Sequence, residues 1–427
     1  MLVPKGTWLT GAIHLKSNVN LNIHQEAEIL FSTDTTDYMP LVFSRWEGTE
    51  AYNFSSLIYA NGQENIAVTG KGMLNGQGHL WHEKYKRMDW RDSLSGVQVI
   101  RRMGEQQIPV QERLFGPMKD DILYPSFIHL INCNNILLEG FTINKGPYWT
   151  VHPTYSKNLI IRDIRVETFG QANGDGINPD ACENVLIEHC ILNTGDDALT
   201  LKSGRDLEGR LRGKPTENVV IRHCVAEKGH GGVAIGSEMS GGIRNVYVHD
   251  CEFKSPLWGI YIKSMRGRGN VVENIWFENI KMDSIQDVAM KLSMYYHDTP
   301  VEKLSERTPI FRNIHFSNID CKFAPTAIEV AGLQEMPISN VTFSNINVHS
   351  YLGIQCLFAH SLSFNQINIS ASKRLLGKFD TCRDITFESL ANGDMHDTIF
   401  KITNSKKEEF HFGNTTHTDL SKVFFNH

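Results

Sequence analysis

These 427 residues contain no run of about eighteen consecutive apolar residues, so no helical membrane span is expected. They also lack a basic excess. Against 48 Asp and Glu stand only 42 Lys and Arg, a net charge of −6, whereas a nucleic-acid binder carries a positive face. The eight cysteines include no C-x-x-C pair and are widely spaced, which removes the usual zinc and redox signatures. Proline is scarce, 14 residues against 34 glycines, and 41% of the chain is apolar with 21% charged. This is the composition of a chain with a large core rather than a disordered one. The start, Met1-Leu2-Val3-Pro4-Lys5-Gly6, has neither the charged nor the apolar region of a secretory signal. The expected location is therefore the cytoplasm, or the periplasm or exterior if a leader has been removed.

What is present is a repeat. Segments of the form Asn-apolar-x-apolar recur at Asn135, Asn158, Asn184, Asn218, Asn245, Asn274, Asn313 and Asn340, with weaker copies near Leu362 and Ile385. Within each, apolar and polar residues alternate over four to six positions, a strand period, and no unit sustains a helical one. Asn tolerates the left-handed backbone of a tight corner. The expected fold is all-β, one right-handed parallel β-helix over residues 1–427. The sixth residue after the Asn (Phe141, Ile164, Cys190, Cys224, Cys251, Ile280 and Ile346) should form an inward column, which makes those cysteines small buried hydrophobes. Residues 75–123 break the pattern and read as a long excursion from one coil.

Stacked coils bring aligned residues about 4.8 Å apart. Placing Ile177, Leu199, Val233 and Ile260 in one register puts Asp175 in the column of Asp197, with Asp196 and then His230 in the next. Lys202 and Lys263 share another column, and Thr200, Ala234 and Tyr261 another. Three carboxylates within two coils repel one another, and such groups persist where a substrate, a shared proton or a metal uses them. The glycines of Asn173-Gly174-Asp175-Gly176, Gly195-Asp196-Asp197 and Gly229-His230-Gly231-Gly232 are expected to clear space for a ligand. Carboxylates with a histidine and a lysine on a shallow, elongated face suit hydrolysis of a sugar polymer, one carboxyl as acid and others activating water.

At these residues the sequence resembles glycoside hydrolase family 28, the polygalacturonases, whose motifs are Asn-Thr-Asp, Gly-Asp-Asp, Gly-His-Gly and Arg-Ile-Lys. The strings Gly6-Thr7-Trp8-Leu9-Thr10-Gly11, Ile13-His14-Leu15-Lys16-Ser17-Asn18 and Gly236-Ser237-Glu238-Met239-Ser240-Gly241-Gly242 resemble its bacterial exo-acting branch. The resemblance implies a water-activating Asp175, a general acid Asp196, a second base-side Asp197 and a supporting His230. It implies substrate contacts from Asn173, Lys202, Glu238 and Lys263, on a pectic polysaccharide or oligogalacturonide, with inversion and without a metal or other cofactor. The first motif reads Asn173-Gly174-Asp175, and the fourth Tyr261-Ile262-Lys263. Where the family's arginine grips a galacturonate carboxylate, Tyr261 stands, and Arg266 and Arg268 are expected to compensate. The chain also begins later than such proteins usually do.

Loops at 75–125, 205–215 and 295–308 are expected to wall one end of the groove. Trp81, Trp90, Arg101 and Arg102 would supply stacking and carboxylate-binding groups there, and the enzyme would act from a chain end. Rhamnogalacturonan and xylogalacturonan are alternative substrates. A Ca²⁺-dependent pectate lyase would need a cage of about six to eight oxygens, and a tailspike-like binding β-helix would need no carboxylate cluster.

Overall fold

A computed structural model describes residues 1–116, 121–371, 375–391, 400–413 and 423–426. The repeat folds as expected, into a right-handed parallel β-helix of three-sided coils. One side stacks Asn134–Glu139, Lys157–Arg162, Glu183–Glu188, Thr216–Arg222 and Ile243–His249, each strand parallel to the next. A second stacks Thr142–Asn144, Arg165–Glu167, Ile191–Asn193 and Val225–Lys228. The third carries Leu199–Leu201, Gly231–Ile235, Trp258–Lys263 and Val288–Ser293.

The repeat asparagines turn the corners. Asn18, Asn65 and the eight from Asn135 to Asn340 all have φ between 54° and 63°, a region that Asn enters more cheaply than branched residues. Each amide donates to the asparagine one coil earlier, so an unbroken ladder runs from Asn18 to Asn340. Polar satisfaction and backbone conformation thus select the same residue. The sixth positions point inward as expected, all 3% exposed or less, and the eight cysteines are free and buried. Phe277, Phe316, Phe343, Phe364 and Phe387 stack in an inner column with centroids 4.9–5.1 Å apart.

The excursion is more ordered than its sequence suggests. It holds helices at Gly78–Lys84 and Gly96–Glu105, the second with the Ser95 hydroxyl capping Gln98 N–H. Trp81 is fully buried among Tyr38 and Tyr85, anchoring the excursion to the main core, so it is not available to stack on a ligand. A second departure from the coil, unnoticed in the sequence, is the antiparallel hairpin Val42–Trp46 and Thr49–Asn53. Its tip presents Glu47.

Candidate active site

The strand register reproduces the columns. Ile177 pairs with Leu199, Leu199 with Val233 and Val233 with Ile260, while Thr200, Ala234 and Tyr261 run alongside. The glycines answer to a different constraint from the one expected. A Cβ at Gly195 would lie 2.0 Å from the Gln171 carbonyl, one at Gly176 2.3 Å from the Ala198 carbonyl, and one at Gly229 2.6 Å from the Asp196 carbonyl. They let neighbouring coils close upon each other, and that closeness is what gathers the carboxylates.

Asp175, Asp196 and Asp197 each place one oxygen within 4.8 Å of the others. Asp197 is buried, pairs with the Lys263 ammonium at 2.6 Å and accepts from Gly231 N–H at 2.9 Å. Asp175 is buried with the Lys202 ammonium 3.9 Å away, and its Oδ1 has no hydrogen-bond partner among the described residues. Asp196 is the outermost, its side chain 21% exposed, accepting from its neighbour's Asp197 N–H at 2.9 Å and meeting His230 Nδ1 at 3.0 Å.

The proton affinities follow from these surroundings. Burial, then the Asp196 charge, pushes Asp175 well above the usual carboxylate range against the pull of Lys202. Burial also raises Asp196, but the hydrogen bond and charge of His230, with Lys263 and Lys202, bring it below that range. His230 is raised, chiefly by its bond to Asp196. Burial opposes the charge on Lys263, yet Asp197 holds it well above the ordinary lysine value. These surroundings favour a proton on buried Asp175 and, within the His230–Asp196 pair, on the His230 side. The three aspartates have the spacing to hold a cation, though Lys202 and Lys263 already set positive charge beside two of them.

These carboxylates open into a cavity of about 240 Å³, smaller than the ~300 Å³ at which drug-sized sites begin. Of the expected substrate contacts, Asn173, Lys202, Glu238 and Lys263 line it. His230 borders it through Asp196. Three expected contacts lie elsewhere. Arg266 is held by Glu335 at 2.5 and 2.9 Å, and Arg268 by Asp206 and the Ser237 carbonyl with the cavity-lining Glu238 3.6 Å away, so both guanidiniums expected to compensate for Tyr261 are already committed to carboxylates and neither lines the cavity. Tyr261 itself is 4% exposed and packs on Trp258 at 4.7 Å.

Other lining groups were not legible in the repeat. Glu47 comes from the hairpin tip, Arg87, Trp90 and Arg101 from the excursion, Trp149 and Arg205 from the coil edge, and Tyr296 and His297 from the loop beyond Ser293. Glu47 accepts from Arg101 at 2.7 Å, Arg205 at 3.2 Å and the Tyr148 hydroxyl at 2.8 Å, tying hairpin, excursion and coil together. Glu238 meets Lys202 at 3.2 Å and Arg205 at 3.1 Å, and these cations outweigh burial to hold it well below its ordinary value. Of the four groups expected in the wall, Trp90 and Arg101 are there. Trp81 is core, and Arg102 is turned to the Ser93 carbonyl.

The profile of glycosyl hydrolases family 28 matches residues 117–363, a span that contains all three aspartates, His230 and Lys263. The chain belongs to that family. Its structure superposes on a hyperthermoactive exopolygalacturonase from Thermotoga maritima with a TM-score of 0.79 and 32% identity, covering 92% of this chain and 83% of that one. A family 28 exopolygalacturonase from Yersinia enterocolitica shares the fold, with a TM-score of 0.69 at 18% identity over 96% of this chain and 72% of that one. In sequence the chain is 29% identical to a probable polygalacturonase from Vitis vinifera, over 82% of this chain and 66% of that protein. It is 23% identical to an exo-poly-alpha-D-galacturonosidase from Dickeya chrysanthemi, over 90% of this chain and 68% of that protein. The chain thus spans about two thirds of the length of these two relatives.

Proposed function

We propose that this family 28 glycoside hydrolase removes galacturonate units from the end of a pectic polysaccharide or oligogalacturonide, acting as one β-helix unit whose excursion completes the pocket. The observation that carries the reading is the small cavity, lined by the three aspartates together with groups from the hairpin, the excursion and the 295–308 loop. An internal bond of a polymer needs a groove open at both ends. The relatives named exopolygalacturonases support the same direction.

In this reading Asp196 is the acid, because it is the carboxylate of the three that reaches solvent and can touch a glycosidic oxygen. Its proton comes along the 3.0 Å bond from His230. When the leaving oxygen approaches, the imidazolium of His230 gives its proton to the Asp196 carboxylate, leaving a neutral imidazole beside a carboxylic acid, and the proton passes on as the glycosidic bond breaks. Asp175 and Asp197, on the neighbouring coils, position the attacking water, and Asp197, ion-paired with Lys263, takes its proton. The closest oxygens, within 4.8 Å, are nearer than the roughly 6.5–9.5 Å expected between the acid and base groups of an inverting enzyme. Inversion rests instead on the anchoring of Asp197 by Lys263 and of Asp175 beneath Lys202, which leaves water rather than either carboxylate to attack the sugar.

Time-resolved chromatography of a polygalacturonate digest tests the proposal. Monomer from the first minutes with little fall in viscosity is expected, and early oligomers of mixed length with rapid loss of viscosity would overturn it.

A further inference from the structure

Five cations line the cavity: Arg87, Arg101, Lys202, Arg205 and Lys263. Four have a carboxylate within 3.2 Å: Arg101 has Glu47, Lys202 and Arg205 share Glu238, and Lys263 has Asp197. Arg87 differs. Among the described residues its one polar contact is with the Asn173 side-chain oxygen, to which Nη1 donates at 3.1 Å. Its guanidinium otherwise rests against the rings of Trp46, Tyr124 and Tyr148, 5.4–5.8 Å from their centroids. A guanidinium has five N–H donors in a fixed fork, so most of this one remains unspent. The stacked rings hold it in place without neutralising it.

We propose that Arg87 receives the carboxylate of the uronate bound at the catalytic aspartates and so makes the enzyme selective for acidic sugars. The assignment rests on the galacturonide reading above and deepens it. Three observations converge. Among the described residues Arg87 is the lining cation with no acid partner, so it can accept an anion without breaking an ion pair with any of them. It is tethered to Asn173, two residues before Asp175, which sets the fork at the aspartate cluster. The position where the family places its carboxylate-gripping arginine is here Tyr261, packed away on Trp258, so that grip must come from another element. The planar fork of arginine suits a carboxylate by two parallel hydrogen bonds.

The test compares hydrolysis of digalacturonate with that of its methyl ester, which has the same shape without the charge. In Arg87→Met, KM for the free acid is expected to rise roughly 10- to 100-fold, the worth of a charge-assisted hydrogen bond. KM for the ester and kcat for both should change less than about 3-fold, so the preference for the acid collapses. Arg87→Lys, which keeps the charge and loses the fork, should fall between. An equal loss on both substrates would show that Arg87 only supports the rings and Asn173, and an unchanged acid preference would show it is silent; either overturns the proposal. Calorimetry with galacturonic acid separates this from the function reading. If the wild type hydrolyses neither substrate, the galacturonide reading fails, yet loss of galacturonate binding in Arg87→Met would still support anion recognition by Arg87, and equal binding would refute it.

Discussion

Asp196→Asn tests the acid assignment most directly. The amide keeps the volume, and its carbonyl can still accept the Asp197 N–H now bonded at 2.9 Å. It loses the ion pair with His230, whose side chain is 49% exposed, so that pair contributes at most about 1 kcal/mol to stability. It also relieves the Asp196 repulsion that, after burial, raises Asp175. Fold and stability should therefore hardly change. Catalysis should, because an amide has no proton to give. Loss of a general acid costs about 10²–10⁴ in rate, or roughly 3–5 kcal/mol at 1.36 kcal/mol per tenfold. The cost must depend on the leaving group. A sugar hydroxyl leaves as a poor base only when protonated, whereas a nitrophenolate departs unaided. The assay is kcat for digalacturonate beside kcat for p-nitrophenyl galacturonide, with circular dichroism to verify folding. A fall of more than about 100-fold on the disaccharide and less than about 10-fold on the aryl glycoside is expected. An equal fall on both would assign Asp196 to binding or to the base side, and near-normal turnover would remove it from the chemistry.

The other predictions concern the groups around it. By NMR titration His230 should ionise above its ordinary value near 6.5 in the wild type and drop in Asp196→Asn, because the bond to Asp196 is the leading cause of its rise. A raised folded value means that the pair stabilises the protein below the unfolded histidine value and ceases to do so as pH climbs through the folded one. The stability difference between wild type and Asp196→Asn should therefore shrink toward alkaline pH, and a difference that grows would contradict the pairing. Lys263→Met strands the buried Asp197 carboxylate. A loss of about 3–5 kcal/mol is expected, read as a lowered Tm that Asp197→Asn in the same chain partly restores. Proton NMR of early product should show the inverted anomer and chelator should leave the rate unchanged; a retained anomer or Ca²⁺-dependent activity would sink the water-mediated scheme. In the asparagine ladder, Asn218→Ala places a Cβ-bearing residue without an amide at φ 57° and breaks the bonds to Asn184 and Asn245. It should cost about 1–2 kcal/mol, more than Asn218→Gly, and the reverse order would deny the backbone argument.

The coils were readable because one cause acts at each position of the repeat. A strand period, an asparagine that tolerates φ near 56° and a constant inward column together fix the register from Ile177 to Ile260. The register then places Asp175, Asp196, Asp197 and His230 with no further information. The enclosing groups obey no such repetition. Glu47 sits on a hairpin whose strands resemble any other strand, and Arg87 sits between two short helices in a segment chosen for its contacts with Tyr124 and Trp46 rather than for a period. Trp81, Arg266 and Arg268 were misplaced for the related reason that chemistry-bearing residue types also serve as anchors: an indole in a core and two arginines in ion pairs. Only distances separate the two uses.

That division has a consequence for how the site can vary. The three aspartates are bound to the coil spacing by glycines whose replacement would drive a Cβ into the neighbouring backbone at 2.0–2.6 Å, so their geometry cannot be tuned without disturbing the helix. The enclosing wall is tied in by side chains, with Glu47 bridging Arg101 and Arg205 and Arg87 lying on three rings, beside a few backbone bonds such as Arg205 N–H to the Gly48 carbonyl. On the proposed reading, substitutions there should alter which sugar enters while leaving the aspartates where the coils put them. On the same reading, chemistry in this molecule is set by the stacking of the coils, and selection of the substrate by the irregular segments that depart from them. A change in the excursion should therefore appear first in KM and in the acid-to-ester ratio, and a change at Gly195 or Gly229 first in folding and kcat.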